Sequence, residues 1–353
     1  SRKPFRKVMP RAIFREENSE LFAACWQDYL KAHPASPYYL LTVLDYFLAY
    51  SRGLVVDKSF VLLHGEEVVA CVFLPIEENN GRRSISIGQS FAPSPLFLDR
   101  KNLAQEVMTV VERLAQENGV KKIMFRIDVL QQERYPYNFL LRHDFLDASL
   151  LAYLVNCENP GMRRNHERAV RKIQSNPEFT ILVMDKQHKD YEIHEEYRRL
   201  HHRAAGKVTR PKGTFDLQYR MLEEGNAILV GLRYRERFIA FTYFVFYQQG
   251  AISFSAADDP EFNNLPLYHV INAEALNYLK EKGIKYMDMG QPLTTSLQLF
   301  YYPDEKQKNI ALFKTGFGGK FVQDLRGVKY LSRQAFRQDI DFFSKEYEKT
   351  IIQ

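Results

Sequence analysis

The sequence contains two copies of one structural pattern, and no other feature limits the choice of fold as strongly. Residues 60–75 and 228–246 each hold two apolar, β-rich runs joined by a short charged turn, the pattern of a β-hairpin. Farther along, residues 117–124 (ENGVKKIM) match residues 281–287 (EKGIKYM), and in both copies an amphipathic helix pattern comes first and a short apolar run follows. The same order of hairpin, helix and strand, found twice, indicates a duplicated α/β unit.

A third pair of segments supports the duplication. Residues 140–145 (LLRHDF) align with residues 312–317 (LFKTGF), which places Arg142 opposite Lys314. All three pairs are separated by about 170 residues, as expected for a unit that was copied whole. The alternative is that unrelated α/β hairpins resemble one another by chance, but the shared order and spacing favour the copy.

The two copies meet at Asn159, Pro160 and Gly161, which interrupt the pattern. We therefore predict an N-terminal domain at residues 1–159 and a C-terminal domain at residues 160–353. Each is expected to be an α/β (α+β) domain, with a twisted mixed sheet flanked by helices.

The last two strands of each domain can be predicted from apolar runs. In the first domain they are expected at residues 121–128 and 148–156, and in the second at residues 284–289 and 326–332.

Composition indicates a globular chain without a membrane span. Of the 353 residues, 45% are hydrophobic, and no apolar run is long enough to cross a bilayer. Cys25, Cys71 and Cys157 are odd in number and far apart, and the basic N-terminus is not followed by an apolar stretch, so we expect a cytoplasmic protein without a secretory signal. The net charge of +6 favours anionic ligands but is too small to demand nucleic acid, and no DNA partner is expected.

Several stretches resemble the Fem-type peptidyltransferases and their relatives, the BioF2-like and CelD-like acetyltransferase domains, which carry two GNAT-like domains in one chain. These stretches are RRNHERAVRKIQ (163–174), FSAADDPEFNNLPLYHVINAEAL (254–276), YMDMG (286–290) followed by LFKTGFGG (312–319), and FRID (125–128). The resemblance implies two tandem GNAT-like acyltransferase domains, with the donor cleft in the second.

The resemblance also implies an activity. We expect an N-acyltransferase that moves an acyl group from acyl-CoA to an amine acceptor, an amino sugar or cell-envelope precursor with anionic character. The sequence has no G-x-S-x-G elbow and no cysteine with an obvious histidine partner, so direct transfer is expected. Acyl-CoA would be a co-substrate, with no tightly bound cofactor.

Lys314 is the principal candidate for catalysis. Phe313 and Phe317 flank it, and lysine is seldom buried without a partner. In the Fem-type proteins the matching lysine lies in the donor site and stabilises developing negative charge, so the resemblance places Lys314, Phe313 and Gly316 there. A surface lysine that extends along apolar neighbours is the alternative, and Gly316, Gly318 and Gly319 could simply form a tight turn.

The donor loop is expected at residues 258–266, running into the next helix. By resemblance to GNAT enzymes, the pyrophosphate of coenzyme A would bind backbone amides at the start of that helix. The usual glycines are missing, and Asn263, Asn264, Leu265 and Tyr268 are the candidate contacts. A polar turn with no ligand is the alternative.

The acceptor is expected to contact a basic loop between two helical stretches. His202, Arg203, Lys207 and Arg210 could clamp a phosphate there, or they could belong to a solvated linker.

General acid–base candidates come from the resemblance and from proximity to the donor loop. Asp128 matches an acidic position of the Fem first domain, His269 follows the donor loop, and Tyr301 and Tyr302 fall where many GNAT enzymes have a helix that carries their acid. No cluster has metal-ligand spacing, so no metal is expected.

Two other functions stay open: an aminoacyl-tRNA-dependent transferase of the peptidoglycan-bridge type, and a catalytically inactive binding protein on the same fold.

Overall fold

The structure, a computed structural model, describes residues 10–131, 135–290 and 293–351. Most of the basic N-terminal stretch lies outside these ranges. The helices within them are α1 (Ser19–Ala32), α2 (Leu41–Tyr50), α3 (Leu103–Glu117), α4 (Arg164–Gln174), α5 (Tyr191–Ala205), α6 (Lys212–Glu224), α7 (Leu267–Glu281), α8 (Glu305–Lys314) and α9 (Arg333–Glu348).

The strands fall in both halves of the chain. They are β1 (Arg11–Phe14), β2 (Leu54–Asp57), β3 (Phe60–His64), β4 (Glu67–Val72), β5 (Pro75–Asn79), β6 (Arg82–Ile85), β7 (Ala92–Pro93), β8 (Leu96–Phe97), β9 (Val120–Ile127), β10 (Leu146–Asp147), β11 (Leu150–Asn156), β12 (Phe179–Met184), β13 (Ala227–Tyr234), β14 (Arg237–Tyr247), β15 (Gly250–Asp258), β16 (Tyr286–Asp288) and β17 (Gly319–Tyr330).

These strands build a small sheet and a long mixed sheet that runs through both halves. The small sheet has the order β1-β3-β4-β8, and the long one has the order β12-β13-β14-β15-β16-β11-β17-β9-β6-β5-β2. Both predicted hairpins are confirmed, as β3–β4 and β13–β14. The predicted α/β class with a twisted mixed sheet and flanking helices is also confirmed.

The two halves exchange their last strands. The final strand of the first half, β11, pairs with β16 of the second, and the final strand of the second half, β17, pairs with β9 of the first. Strands β11 and β17 also pair with each other at the centre, from Leu150 opposite Asp324 to Val155 opposite Gly319. The predicted domain boundary at residue 159/160 falls in the loop between β11 and α4 and stays a prediction, because β17 serves both halves.

Two predictions of local structure were wrong in part. Strand β17 begins at Gly319, not at residue 326, because its first half pairs with β11 before its second half pairs with β9. Tyr301 and Tyr302 precede α8 instead of lying in a helix, and the backbone of Tyr301 forms a bridge with Gln298. The predicted strands at 121–128 and 148–156 are confirmed as β9 and β11, and β16 is shorter than predicted.

The amphipathic helix α3 packs against β9 and β8, and the amphipathic helix α7 packs against β13 and β14. Each presents an apolar face at helical spacing, with Val107 and Val111 buried on α3 and Val270 and Ile271 buried on α7. Helix α2 belongs to the first half of the chain but packs against the second half. Its residues Val43 and Tyr46 lie in one apolar cluster with residues of α5, α6 and β14. No helix in the described ranges is long and apolar enough to cross a membrane, and all three cysteines are free thiols.

Candidate functional site

The strands β15 and β16 separate at one end, and this opening defines the candidate donor cleft. They run parallel and pair only from Gly250 opposite Tyr286 to Ile252 opposite Asp288. Beyond that point β15 continues to Asp258 with β14 on its other side, while the chain after β16 follows β11, with the amides of Met289 and Leu293 bonded to the carbonyl oxygens of Tyr153 and Leu151. Among the described strands none covers this edge of β15, so its backbone groups are available to an extended ligand.

Lys314 lies beside this opening. It ends α8, and its Nζ donates a hydrogen bond to the carbonyl oxygen of Met289, the residue after β16. Burial lowers the pKa of Lys314 to about 8, although the nearby negative charge of Asp288 opposes the fall. Among the described residues no carboxylate bonds directly to this half-buried ammonium group, which can therefore interact strongly with negative charge that develops in the cleft.

The start of α7 forms another side of the opening. Its N-cap residue, Pro266, supplies no side-chain hydrogen bond, so the first amides of the helix are not capped by a side chain. Asn263 and Asn264 are exposed in the preceding loop and Leu265 is half-buried. Tyr268 donates a hydrogen bond to Asp258 over 2.7 Å, which ties the helix to the end of β15. Such a helix start favours a bound anion.

The glycines after Lys314 are explained by close packing. A Cβ atom on Gly316 would lie 2.0 Å from Nε2 of His166, and one on Gly318 would lie 2.2 Å from the backbone nitrogen of Gly161. Gly318 also has a φ of +76°, which side chains rarely tolerate. These glycines therefore let the chain turn from α8 into β17 against the domain boundary, and the role of Gly316 in cofactor binding stays a prediction.

His269 lies in an aromatic cluster behind the cleft. Its ring centroid is 4.4 Å from that of His166 and 4.8 Å from that of Phe313. Nε2 of His166 lies 2.9 Å from the carbonyl oxygen of Phe313. Burial lowers the pKa of His269 to about 4, so this imidazole is neutral at physiological pH.

A second polar group lies at the end of β9. Asp128 is 2% exposed, and it accepts hydrogen bonds from Oγ of Ser36 (2.8 Å) and from the backbone nitrogen of Leu130 (3.0 Å). Burial raises the pKa of Asp128 to about 6, although the charge of Arg126 opposes the rise. At neutral pH its carboxylate can therefore act as a proton acceptor with a pKa close to the working range.

Arg126 joins the strands of both halves. Its guanidinium bonds to Asp324 of β17 (2.6 Å) and to Asp288 of β16 (3.0 Å), and it donates to the hydroxyl of Tyr38 (3.1 Å). Asp324 is also paired with Arg326. This network fixes β9, β16 and β17 at the point where the halves meet.

A cavity of 230 Å³ opens beside Asp128 and Arg126. Its wall is mostly apolar, and it includes the aromatic rings of Tyr38, Phe47, Tyr50 and Phe91. An apolar wall with one cation and one carboxylate at its base is suited to a small ligand that carries a few polar groups. Asp288 lies between this cavity and the candidate donor cleft, because it bonds to Arg126 of the cavity and directly precedes Met289, whose carbonyl oxygen accepts the hydrogen bond from Lys314.

Arg210 cannot take part in the phosphate clamp that was one of the two predictions for the basic loop. Arg210 is 5% exposed and points into the core, where it bonds to Tyr197 and Gln218 and stacks over the ring of Phe215 at 4.1 Å. Aromatic contacts accommodate this guanidinium in the interior and withdraw it from solvent.

The side chains of the other three predicted clamp residues point to different places. Arg203 reaches the donor loop and pairs with Asp259 over 2.9 Å, while Lys207 is exposed. His202 packs against Phe215, with its Nδ1 3.4 Å from the backbone nitrogen of Thr209.

Tyr301 and Tyr302 lie at the far end of α8 from Lys314. The helix has 10 residues, so its two ends are about 15 Å apart at 1.5 Å per residue. Tyr302 packs against Phe342 and Phe343 of α9. Tyr302 is thus held against α9, and the catalytic roles of Tyr301 and Tyr302 stay predictions. In the described ranges, no group of three or more metal-ligating side chains is placed to hold an ion.

The cleft geometry agrees with what comparison of the sequence finds. Residues 160–295 match the model of the acetyltransferase (GNAT) domain family. This part of the chain is a GNAT domain. It contains β15, α7 and β16, and so both walls of the candidate donor cleft, whereas Lys314 follows it. The predicted enzyme class, an acyltransferase of the GNAT type, is confirmed by this match.

Solved structures extend the likeness over almost the whole chain. The structure of FemX is 12% identical with a TM-score of 0.67, and the match covers 94% of this chain and 99% of that one. A tandem GNAT protein from the clavulanic acid biosynthesis pathway is 12% identical with a TM-score of 0.54, covering 92% and 99%. The L-PGS of Bacillus licheniformis is 13% identical with a TM-score of 0.55, covering 85% and 95%. No curated protein matches the sequence.

These likenesses confirm the tandem GNAT fold that the resemblance to the Fem-type proteins implied. At such low identity they show the fold alone, so the acyl donor, the acceptor and the residue roles remain matters for proposal. The sequence analysis did not predict Arg126 and Asp288 as candidate site residues. Both stand in the quoted motifs FRID and YMDMG, but only the pairing of β9 and β16 with the exchanged strands brings them together.

Proposed function

We propose that the protein is an N-acyltransferase that transfers an acyl group from acyl-CoA to the amine of a small acceptor such as an amino sugar or a cell-envelope precursor. The observation that carries this proposal is the position of Lys314, whose ammonium group lies half-buried beside the opening between β15 and β16. The GNAT match supplies the reaction class.

The donor would bind along β15 with its anionic end at α7. The uncapped start of α7 would bind the pyrophosphate of coenzyme A, with Asn263, Asn264 and Tyr268 nearby. The pantetheine chain would follow the free edge of β15, and the thioester would come to rest near Lys314. Acyl-CoA is then a co-substrate that leaves after each turnover.

The acceptor would occupy the cavity beside Asp128. Aromatic rings such as those of Tyr38 and Phe91 can pack against the apolar face of a sugar, while Arg126 and Asp128 provide polar contacts at the base. The carboxylate of Asp128 would accept the proton that the amine must lose.

The chemical step would be a direct transfer. The amine nitrogen forms a bond to the thioester carbon, and the resulting oxyanion is stabilised by the ammonium group of Lys314. The carbon–sulfur bond then breaks, coenzyme A leaves as its thiolate, and the proton lost by nitrogen passes to Asp128. No covalent intermediate on the enzyme is needed.

Ligand-dependent unfolding tests the proposal against the tRNA-dependent alternative. Coenzyme A at one hundred times its dissociation constant should stabilise the folded state by about 2.7 kcal/mol, whereas unacylated tRNA should leave the melting temperature unchanged. Release of free thiol from acetyl-CoA in the presence of glucosamine should report turnover. A shift with tRNA alone, which added salt abolishes, would support the tRNA-dependent function instead. No shift with either ligand would support an inactive binding protein.

A further inference from the structure

Helix α9 carries an apolar stripe that the rest of the protein leaves largely uncovered. Phe336, Ile340, Phe343 and Tyr347 fall within an arc of about 60° at 3.6 residues per turn, so their side chains form one row along the helix. Phe336 is 39% exposed, Ile340 37% and Tyr347 54%, and Phe343 is half-buried. Of the 16 residues of α9, all of them described, only Ala335 is buried. A continuous exposed apolar row of this kind marks an interaction surface.

The rest of the protein holds α9 by a different side. Asp339 pairs with Lys122 over 2.8 Å and accepts a hydrogen bond from the hydroxyl of Tyr330 over 2.8 Å. Asp339 and the buried Ala335 lie roughly a quarter of a turn from the centre of the stripe. The stripe touches β17 at its first residue, Phe336, whose ring centroid is 5.2 Å from that of Tyr330. A second helix can therefore lie along the stripe without displacing the contacts that hold α9.

The spacing of the stripe is the same in both directions along the helix. Its residues are separated by four, three and four positions, which is the spacing of core residues in a two-stranded coiled coil. Reversal about the midpoint, between residues 341 and 342, places Phe336 opposite Tyr347 and Ile340 opposite Phe343. An antiparallel second copy of α9 therefore meets every stripe residue with an apolar one, as a two-fold symmetric interface requires.

The charges on the outer flank of the stripe favour the same arrangement. Arg333 and Arg337 lie in the first half of α9, and Glu348 ends it. Within the described ranges no salt bridge involves either arginine. Reversal about the same midpoint brings Glu348 of the second copy level with position 335, about 3 Å along the axis from each arginine at 1.5 Å per residue. A parallel pair would instead place arginine beside arginine and glutamate beside glutamate.

These charges also oppose the dipole of the helix. Anions stabilise the N-terminus of a helix and cations its C-terminus. Helix α9 has Arg333 and no acidic residue in its first turn, and it has Glu346 and Glu348 near its end, together with Lys345. An antiparallel second copy brings acidic side chains to the basic start of each helix, so the pairing offsets this unfavourable arrangement.

We infer that the protein forms a two-fold symmetric dimer in which α9 pairs antiparallel with α9 of a second copy. The stripe is about 17 Å long on a helix about 10 Å wide. This contact is smaller than the interface of about 800 Å² per partner that is typical of stable complexes. The dimer should therefore be weak and should form in a concentration-dependent manner.

The charges of α9 favour a second copy over a lipid surface. Helices that lie on membranes carry mainly lysine and arginine on their polar face. The polar positions of α9 are mixed, with Asp341, Glu346 and Glu348 as well as Arg333 and Arg337. Acidic side chains in this number would be repelled by anionic lipid headgroups, whereas they complement the arginines of an antiparallel copy.

Sedimentation equilibrium of the full chain over a range of micromolar concentrations tests the inference. The wild type should show a monomer–dimer equilibrium. The variant Ile340→Glu/Tyr347→Glu should dimerise at least tenfold more weakly, because four like charges would meet in the apolar contact. The control Leu312→Glu changes an exposed apolar residue of α8 and should dimerise as the wild type does. A wild type that stays monomeric throughout, or equal dimerisation of all three proteins, would overturn the inference.

A series of charge reversals tests the orientation without altering the apolar stripe. At low salt, Arg333→Glu/Arg337→Glu should weaken the dimer at least about threefold. Addition of Glu348→Arg should restore it, because each pair keeps opposite charges with their signs exchanged. In a parallel dimer like charges would face each other in every member of the series, so equal dimerisation of all members would reject the antiparallel pairing.

Sedimentation with phosphatidylglycerol vesicles tests the lipid surface as the occupant. The wild type should stay in the supernatant at concentrations where the dimer forms. Vesicle binding by a monomeric wild type that Ile340→Glu/Tyr347→Glu abolishes would assign the stripe to a membrane and overturn the dimer.

Discussion

Lys314 donates a hydrogen bond to the carbonyl oxygen of Met289 at the point where β15 and β16 part. The bond fixes a cation from the second half of the chain at the edge of the opening, and the charge of Asp288 reaches the same ammonium group. Since Asp288 is also bonded to Arg126, this carboxylate lies between the proposed donor cleft and the cavity proposed for the acceptor.

Replacement of Lys314 by alanine should lower kcat by at least tenfold, because the oxyanion would lose its cation; a single such donor commonly contributes about 10²–10³-fold. Steady-state kinetics with acetyl-CoA and an amine acceptor provide the measurement. Lys320→Ala, which removes an exposed lysine of β17, is the matched control and should leave kcat unchanged. Full activity of Lys314→Ala in a folded protein would exclude the catalytic role.

The pH dependence of kcat/KM should be bell-shaped. Asp128 must be deprotonated to accept a proton, so activity should rise as the pH passes its pKa of about 6. Lys314 must be protonated, so activity should fall as the pH passes its pKa of about 8. In Lys314→Arg the alkaline limb should disappear and the acidic limb should stay, because arginine does not titrate in this range. An unchanged alkaline limb in that variant would assign it to another group.

Replacement of Arg126 by methionine should destabilise the fold by about 3–5 kcal/mol, because buried carboxylates would lose their partner. Asp324 would keep Arg326, so the loss falls mainly on Asp288. Urea unfolding measures the change. Arg113→Met removes an arginine from an exposed pair on α3 and should change stability by about 0.5 kcal/mol or less. If the two variants were equally stable, Arg126 would not hold the halves together.

Alanine at position 316 should destabilise the protein, whereas alanine at position 213 should not. The new Cβ of Gly316→Ala would meet the ring of His166 at 2.0 Å, but the Cβ of Gly213→Ala, on α6, would have no neighbour within 4 Å. The helical position should gain up to about 1 kcal/mol from alanine. Thermal unfolding distinguishes the two, and a His166→Ala change in the Gly316→Ala background should restore part of the loss.

The sequence predicted the fold better than the site. Hairpins, amphipathic helices and the repeat are local patterns, so β3–β4, β13–β14, α3 and α7 were correctly foreseen. The start of β17 was not, because the pairing of Gly319 with β11 is a contact between distant parts of the chain.

In the candidate site, too, local patterns could be predicted from the sequence and contacts between distant residues could not. Lys314 could be singled out because its aromatic and glycine neighbours are adjacent in sequence. Arg126 and Asp288 are 162 positions apart in the sequence, and no local pattern predicts the bond between them. Both predictions for the basic loop, a phosphate clamp or a solvated linker, put Arg210 at the surface because its neighbours in sequence are basic, yet Tyr197 and Phe215 hold it in the interior.

The crossed pairing of β11 and β17 makes the two halves mutually dependent. A fragment that ended at residue 159 would leave β9 without β17 on one side, and the complementary fragment would leave β16 without β11. Each piece would present bare sheet edges to water and to other chains. The repeat visible in the sequence is therefore not a pair of modules that can be cut apart, recombined or expressed singly, and any engineered version of this protein must carry both copies together.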